Sequence, residues 1–243
     1  MNITITTRKQ HPVSDEELYK LFLLSFQQWR DSSIDAPFMY HTFEEFQGYI
    51  KQAVIFLAVS SSLTSPLREE GKAATTNEVV GMHCFYCYKK KHYASGFYLA
   101  ISPEVKHQGI ASRLLAYEKE QFQARGYRSL RGTTSVPAIW SVRWHLKNGY
   151  RIIGYGKGCS PYSDSYSFRL QLAPFSWRHP STWLWNKPLA PITARCCYLA
   201  SYATTRLTHH RNGQLNWIGR VGRQLMVHGS LFESVALQSR LMV

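Results

Sequence analysis

No uninterrupted apolar run in this sequence reaches the roughly 18 residues that a membrane-crossing helix needs, so a bilayer-spanning segment is not expected. The opening Met1-Asn2-Ile3-Thr4-Ile5-Thr6-Thr7-Arg8 lacks the apolar core of a secretory leader, and a reducing cytoplasmic setting is the expectation. Cysteine is sparse. Five thiols in 243 residues (Cys84, Cys87, Cys159, Cys196, Cys197) do not make a disulfide scaffold, and an odd number leaves at least one unpaired within the chain. Acidic residues are scarce too: 15 Asp and Glu face 29 Lys and Arg, a formal net charge of +14. Such a balance attracts polyanions, whether nucleic acid, an anionic bilayer or a phosphate-rich ligand.

What is present is an alternation of strand and helix signals. Residues 3–7 alternate as a strand. Ser14-Asp15-Glu16-Glu17 has capping-box spacing ahead of Leu18, Phe22, Leu23, Phe26 and Trp29 on one helical face, and Thr42-Phe43-Glu44-Glu45 opens a second, shorter helix. Residues 54–59 form an apolar run of strand length, and the polar stretch 60–77 reads as a flexible loop. In residues 78–88, Val80, Met82, Cys84 and Tyr86 share one face and Val79, Gly81, His83, Phe85 and Cys87 the other, as in a central strand covered on both sides. A basic turn at Lys89-Lys90-Lys91-His92 leads to a strand over 94–102, which Pro103 stops. A helix from Ile110 to a glycine cap at Gly126, a strand, a short helix before Asn148-Gly149 and two more strands complete a β-α-α-β-β-β-α-β-α-β-β order. That order predicts an α/β (α+β mixed) fold, a mixed sheet flanked by helices.

One segment carries a chemical signal. Lys106-His107-Gln108-Gly109-Ile110-Ala111 lies between a strand and a helix. A helix that begins there exposes unpaired N–H groups with a favourable dipole, and Gly109 and Ala111 are small enough for a pyrophosphate to approach the backbone. Small residues at a helix start also serve turning and packing alone, so the spacing by itself is moderately specific.

Residues 98–115, including Ser102-Pro103-Glu104-Val105-Lys106-His107-Gln108-Gly109-Ile110-Ala111, resemble motif A of the GNAT acyltransferase superfamily, with Lys106 in the place of the usual Arg or Gln. Trp144-His145-Leu146-Lys147-Asn148-Gly149-Tyr150 is similar to its motif B. The resemblance covers about residues 1–172. It implies a splayed mixed sheet and acetyl-CoA as acyl donor, held by the strand around Leu99 and Ile101 and by Lys106, Gln108, Gly109, Ile110 and Ala111. It also implies direct attack of an amine on the thioester. The family's thiolate-protonating Tyr is replaced by His145, a candidate acid, and a frequent motif B Asn by Ala138. His83 is the candidate base, set against a packed, hydrogen-bonded histidine. Trp29 and Tyr40, in the connection where the family places acceptor contacts, are candidate substrate residues.

Two segments follow from this reading: an acyltransferase-like domain over 1–172 and a basic extension over 173–243, where 8 Lys and Arg stand against Glu233 alone. The extension carries helix signals at 194–207 and 215–241. It could cover the sheet, form a homodimer contact or lie as a peripheral element against an anionic membrane. The acceptor is expected to be a small-molecule or peptide amine. No metal is expected, because strand alternation points Cys84 and Cys87 to opposite faces. A noncatalytic acyl-CoA sensor and a basic nucleic-acid-binding module are the rival readings, although no nucleic-acid-binding signature is present and no specific nucleic acid is expected.

Overall fold

The computed structural model describes residues 2–30, 37–63, 75–156, 164–173, 185 and 189–209. Its elements are β1 (Asn2–Thr7), α1 (Asp15–Arg30), α2 (Phe43–Ile50), β2 (Val54–Leu63), β3 (Thr75–Tyr88), β4 (Tyr93–Ile101), α3 (Ile110–Ala124), β5 (Ser129–Ser135), α4 (Ile139–Lys147), β6 (Arg151–Gly156), β7 (Ser165–Gln171) and α5 (Ala190–His209). The strands are ordered β1-β2-β3-β4-β5-β7-β6. This is the mixed α/β fold, a sheet flanked by helices, that the element pattern predicts. The chain gathers into two compact units, the first made of residues 1–33, 38–88 and 95–125, the second of 34–37, 89–94 and 126–243.

In the first unit, both predicted capping boxes form. Ser14 and Glu17 exchange side-chain and backbone bonds at the head of α1, and Thr42 and Glu45 do so at the head of α2. The apolar face of these helices then buries Leu18, Phe22 and Phe46 against Leu57, Met82 and Cys84 of β2 and β3. On the opposite face, Phe122 of α3 meets Phe56 and Phe85 edge to face at 5.4 and 4.9 Å. Gly81 lets Ile110 and Ile101 close over β3, where an added Cβ would lie 2.9 Å from Ile101. Removing a side chain of this size from water stabilises the fold by roughly 1.5–3 kcal/mol.

The expected loop over 60–77 is partly strand. β2 and β3 stay in antiparallel register from Ser60 opposite Glu78 to Leu63 opposite Thr75, because ladder bonds use only backbone groups and polar Ser and Thr do not interrupt them. Residues 64–74 lie outside the described residues.

In the second unit β7 lies between β5 and β6, antiparallel to both. α4 covers one face through Val142, Leu146 and the His145 ring stacked on Phe168. α5, predicted over 194–207 and longer in the structure, covers the other: Ala194 and Cys197 pack with Trp185 and Ile153, and the Ser201 hydroxyl bonds Tyr155 backbone groups at 2.9 and 2.8 Å. The second helix expected in the extension falls outside the described residues. No helix among the described residues is long and apolar enough to cross a membrane.

Candidate functional site

β4 ends at Ile101, Pro103–Val105 make a single 3-10 turn, and α3 starts at Ile110. Between them His107 and Gly109 both adopt positive φ, 65° and 75°. Gly109 is the helix N-cap without a side chain to cap it, and its carbonyl receives both Ser112 N–H and Arg113 N–H at 3.0 Å. The amides of Gln108, Gly109, Ile110 and Ala111 therefore have no acceptor among the described residues, the state in which a helix start holds an anion. A Cβ on Gly109 would meet nothing within 4 Å, so the left-handed backbone requires glycine there while the space above the turn stays open. Lys106 donates from Nζ to Gln28 Oε1 at 2.9 Å on the exposed rim. These features fit a diphosphate.

Upstream on β4, Leu99 and Ile101 are half-buried, and Ile101 packs on the α3 face beside Gly81. Tyr98 has φ of 50°, uncommon for a bulky residue inside a strand. Its neighbour Phe97 stacks on Tyr86 while Tyr98 itself packs edge-on against Phe22, so consecutive side chains share one face. That is the signature of a β-bulge, which re-aims a side chain and interrupts pairing.

The bulge delivers the Tyr98 hydroxyl to His41 Nδ1, 2.5 Å away. His41 is half-buried, follows the 3-10 turn Pro37–Tyr40 and stacks on Tyr49 at 4.7 Å and 11°. Burial lowers the His41 pKa against the opposing pull of Glu45, favouring the neutral ring. Burial likewise raises the Tyr98 pKa, so the phenol keeps its proton and donates it to Nδ1 when the neutral ring carries its own proton on Nε2. Sequence reading missed this pair. A contact spanning 57 residues, made by a bulge that no glycine marks, leaves no local signal.

The other sequence-predicted residues divide. Trp29 joins the aromatic group, edge-on to Phe26 and Phe38, and Phe38 in turn reaches Tyr98 at 6.0 Å. Tyr40 is 64% exposed, and its neighbour His41 makes the inward contact. His83 is buried on the α3 side, its Nδ1 2.9 Å from Oε1 of Glu118, a carboxylate with no solvent exposure. Gly96 of β4 lies over this ring, where an added Cβ would stand 2.7 Å from Nε2. Hence His83 has the surroundings of a packed, hydrogen-bonded histidine. Cys84 is buried on the opposite face, and burial raises its thiol pKa.

In the second unit, His145 Nδ1–H donates to the Ser141 carbonyl at 2.8 Å, leaving Nε2 toward Gly132 of β5. With Nδ1 as donor, Nε2 carries a proton only in the imidazolium form. Tyr150 is buried edge-on to this ring, a packing residue.

A cleft of about 820 Å³ opens in the first unit, lined by Arg8, Asp15, Gln47, Lys51 and Arg125. It sits at the C-terminal end of α3, roughly 22 Å along the helix from the Gly109 turn at the usual rise per residue. It is separate from the Gly109 turn.

Residues 16–150 match the family model described as the acetyltransferase (GNAT) family. Among proteins of curated function, none matches this chain. Solved structures are similar in fold. An N-acetyltransferase from Staphylococcus aureus Mu50 is 18% identical with a TM-score of 0.50, covering 71% of this chain and 100% of its own. The ribosomal-protein-S18-alanine N-acetyltransferase from Escherichia coli is 11% identical with a TM-score of 0.51, covering 73% of this chain and 99% of its own. At such identities the likeness concerns the fold. The family match spans more than half of the sequence and runs through the Gly109 turn, and the chain belongs to the acetyltransferase (GNAT) family.

Proposed function

We propose that this protein transfers an acetyl group from acetyl-CoA to an amine by direct attack. The observation that carries the reading is the Gly109 turn, with four consecutive amides that lack acceptors, an open space above them and a left-handed glycine. Lys106, Gln108, Gly109, Ile110 and Ala111 would hold the diphosphate, and Leu99 and Ile101 the adjoining arm. Bound there, the donor supplies an activated thioester. Everything else falls to side chains.

Neutral His41, with Tyr98 between it and the aromatic group around Trp29 and Phe38, is suited to receive the proton an amine must lose, the phenol passing it on. His145 is the candidate acid on the thiolate side. Because Nδ1 is committed to Ser141, it would act from the imidazolium form, which gives turnover a dependence on acid that a tyrosine would not show. His83 is a positioning residue, fixing β4 through Gly96. The acceptor in this reading is a small-molecule or peptide amine.

The test is calorimetric titration of the full chain with acetyl-CoA, followed by thiol release across a panel of amines. Gly109→Val, which adds a branched side chain where the diphosphate would lie, should weaken donor binding by roughly tenfold or more, the cost of displacing the charged group from its donors. Tyr98→Phe and His145→Ala should lower turnover more than binding. Absence of donor binding at millimolar concentration would overturn the reading, and binding without thiol release from any amine would make the chain an acyl-CoA sensor.

A further inference from the structure

The second unit has a row of arginines that meet no carboxylate among the described residues. β-Sheet register sets Arg131 of β5 opposite Arg169 of β7, and Arg169 opposite Arg151 of β6, so the three arginines belong to one face of the sheet. Directly opposed like charges destabilise a sheet. Here the middle one is also buried: Arg169 is 9% exposed and Arg131 half-buried. Arg169 lies over the Trp185 ring at 4.4 Å and Arg131 over Tyr93 at 4.0 Å. Arg169 Nη2 donates to Gln171 Oε1 at 3.1 Å, but Nε of Arg169 and Nε of Arg131 are buried with no acceptor among the described residues.

The residues of the second unit include 18 Lys and Arg but only Asp35, Asp164 and Glu233 as acids. Of these, Asp164 is among the described residues, and it accepts the Tyr155 hydroxyl just before β7 begins, five residues from Arg169. Burial lowers the pKa of both arginines, and for Arg169 the charge of Arg131 lowers it further, to about 10. Cys197 of α5, 1% exposed, lies within electrostatic reach of both, and it is a thiol rather than a carboxylate. Aromatic faces offset part of the cost of two neighbouring buried cations, but they add no negative charge. Planar guanidinium forks with spare N–H groups are the preferred partners of carboxylate and phosphate.

We infer that Arg131 and Arg169, with Arg151 beside them, form a binding site for a small oxyanion group, a phosphate or a carboxylate. Arg131, half-exposed, gives the approach from solvent, and Arg169 is the buried anchor. The inference stands independently of acetyl transfer: it uses residues 93–185 of the second unit and nothing of the Gly109 turn. The oxyanion is either free in solution or carried by an amine.

Thermal unfolding of the full chain, at matched ionic strength against sodium chloride, tests it in three arms: inorganic phosphate, acetate and 2-aminoethyl phosphate. Arg169→Gln and Arg131→Gln are compared with wild type. The expected result is a rise in unfolding temperature with an oxyanion, with apparent affinity roughly tenfold weaker in either variant as the charged fork is lost. In chloride alone Arg169→Gln should unfold no lower than wild type, since it removes a buried charge that meets no carboxylate among the described residues. A merely structural arginine would instead lose stability in every salt. An effect of phosphate or acetate assigns a free oxyanion, and an effect confined to 2-aminoethyl phosphate assigns an anionic amine. Equal shifts in wild type and Arg131→Gln, or none in any arm, would overturn the proposal. Because Arg131 is half-buried, that variant decides the matter even if Arg169→Gln does not fold.

Discussion

The two units bury ionisable side chains in opposite ways. The first contains 11 Lys and Arg and 12 Asp and Glu, and among its described residues acid and base pair with each other in two places. His83 is bonded to Glu118 with both side chains hidden, and Arg8 pairs with Asp15 at 2.6 Å while bonding the Val13 carbonyl. The second, with six times as many basic as acidic residues, buries its arginines against Tyr93 and Trp185. A site completed internally serves stability. One completed by ring faces and a single neutral amide oxygen retains unused donors and a positive potential, and those are properties of a binding site.

Removing Glu118 makes the first unit resemble the second. Glu118→Ala leaves the His83 ring buried without its carboxylate, and the expected loss is about 3 kcal/mol in urea unfolding, as for a broken buried pair. Replacing both groups by apolar residues, His83→Leu with Glu118→Met, should recover most of that loss. If the double variant is no better than the single one, the pair does more than satisfy itself. Gly96→Ala presses on the same ring from β4, with contacts of 2.7 Å to Nε2 and 3.1 Å to Phe85, and should cost about 2 kcal/mol, within the range for overpacking. Stability equal to wild type would mean that β4 and His83 move apart freely.

The converse change gives the second unit an acid. Gln171 already receives Arg169 Nη2, so Gln171→Glu supplies a carboxylate without moving the chain. It should raise stability by about 1 kcal/mol, the difference between a neutral and a charge-assisted hydrogen bond, and it should abolish the stabilisation by phosphate. Both effects are read from the same unfolding curves. A variant that gains stability yet keeps its full response to phosphate would separate Arg169 from the anion.

Legibility in the sequence follows the range of each interaction. Both capping boxes, the alternation of β3, the glycine at the end of α3 and the Gly109 turn depend on residues at most a few positions apart, and spacing alone discloses them. So did the strand and helix order. The arginine row is invisible in this way: Arg131, Arg151 and Arg169 become neighbours only because β7 inserts between β5 and β6, a pairing order that the chain order does not follow. The Tyr98 bulge is hidden for a different reason. A positive φ at tyrosine costs free energy that tertiary packing must offset, whereas a glycine would have announced it. His83 was legible as to its face and not as to its partner, since Glu118 lies on a helix 35 residues on.

His41 supplies the smallest effect and compares the units on a further point, a polar group that the first unit holds neutral rather than paired. Its folded pKa is lowered from 6.5, with burial outweighing the Glu45 carboxylate. Below that value the unfolded chain takes up a proton more readily than the folded one, so stability from this group is complete above the unfolded pKa and declines as the pH falls beneath it. His41→Gln can still accept from Tyr98 but cannot titrate. The urea midpoint of the wild type should therefore drop more steeply than that of the variant between neutral pH and a pH of about 5. Parallel declines would mean that the ring gains its proton in the folded state as easily as in water. In acetyl transfer the same substitution should flatten the acid limb of the pH-rate profile, because a base kept neutral by burial loses function only when protonated. A limb that persists unchanged in His41→Gln belongs to another group, and the proton of the amine then leaves by a route that does not use Tyr98.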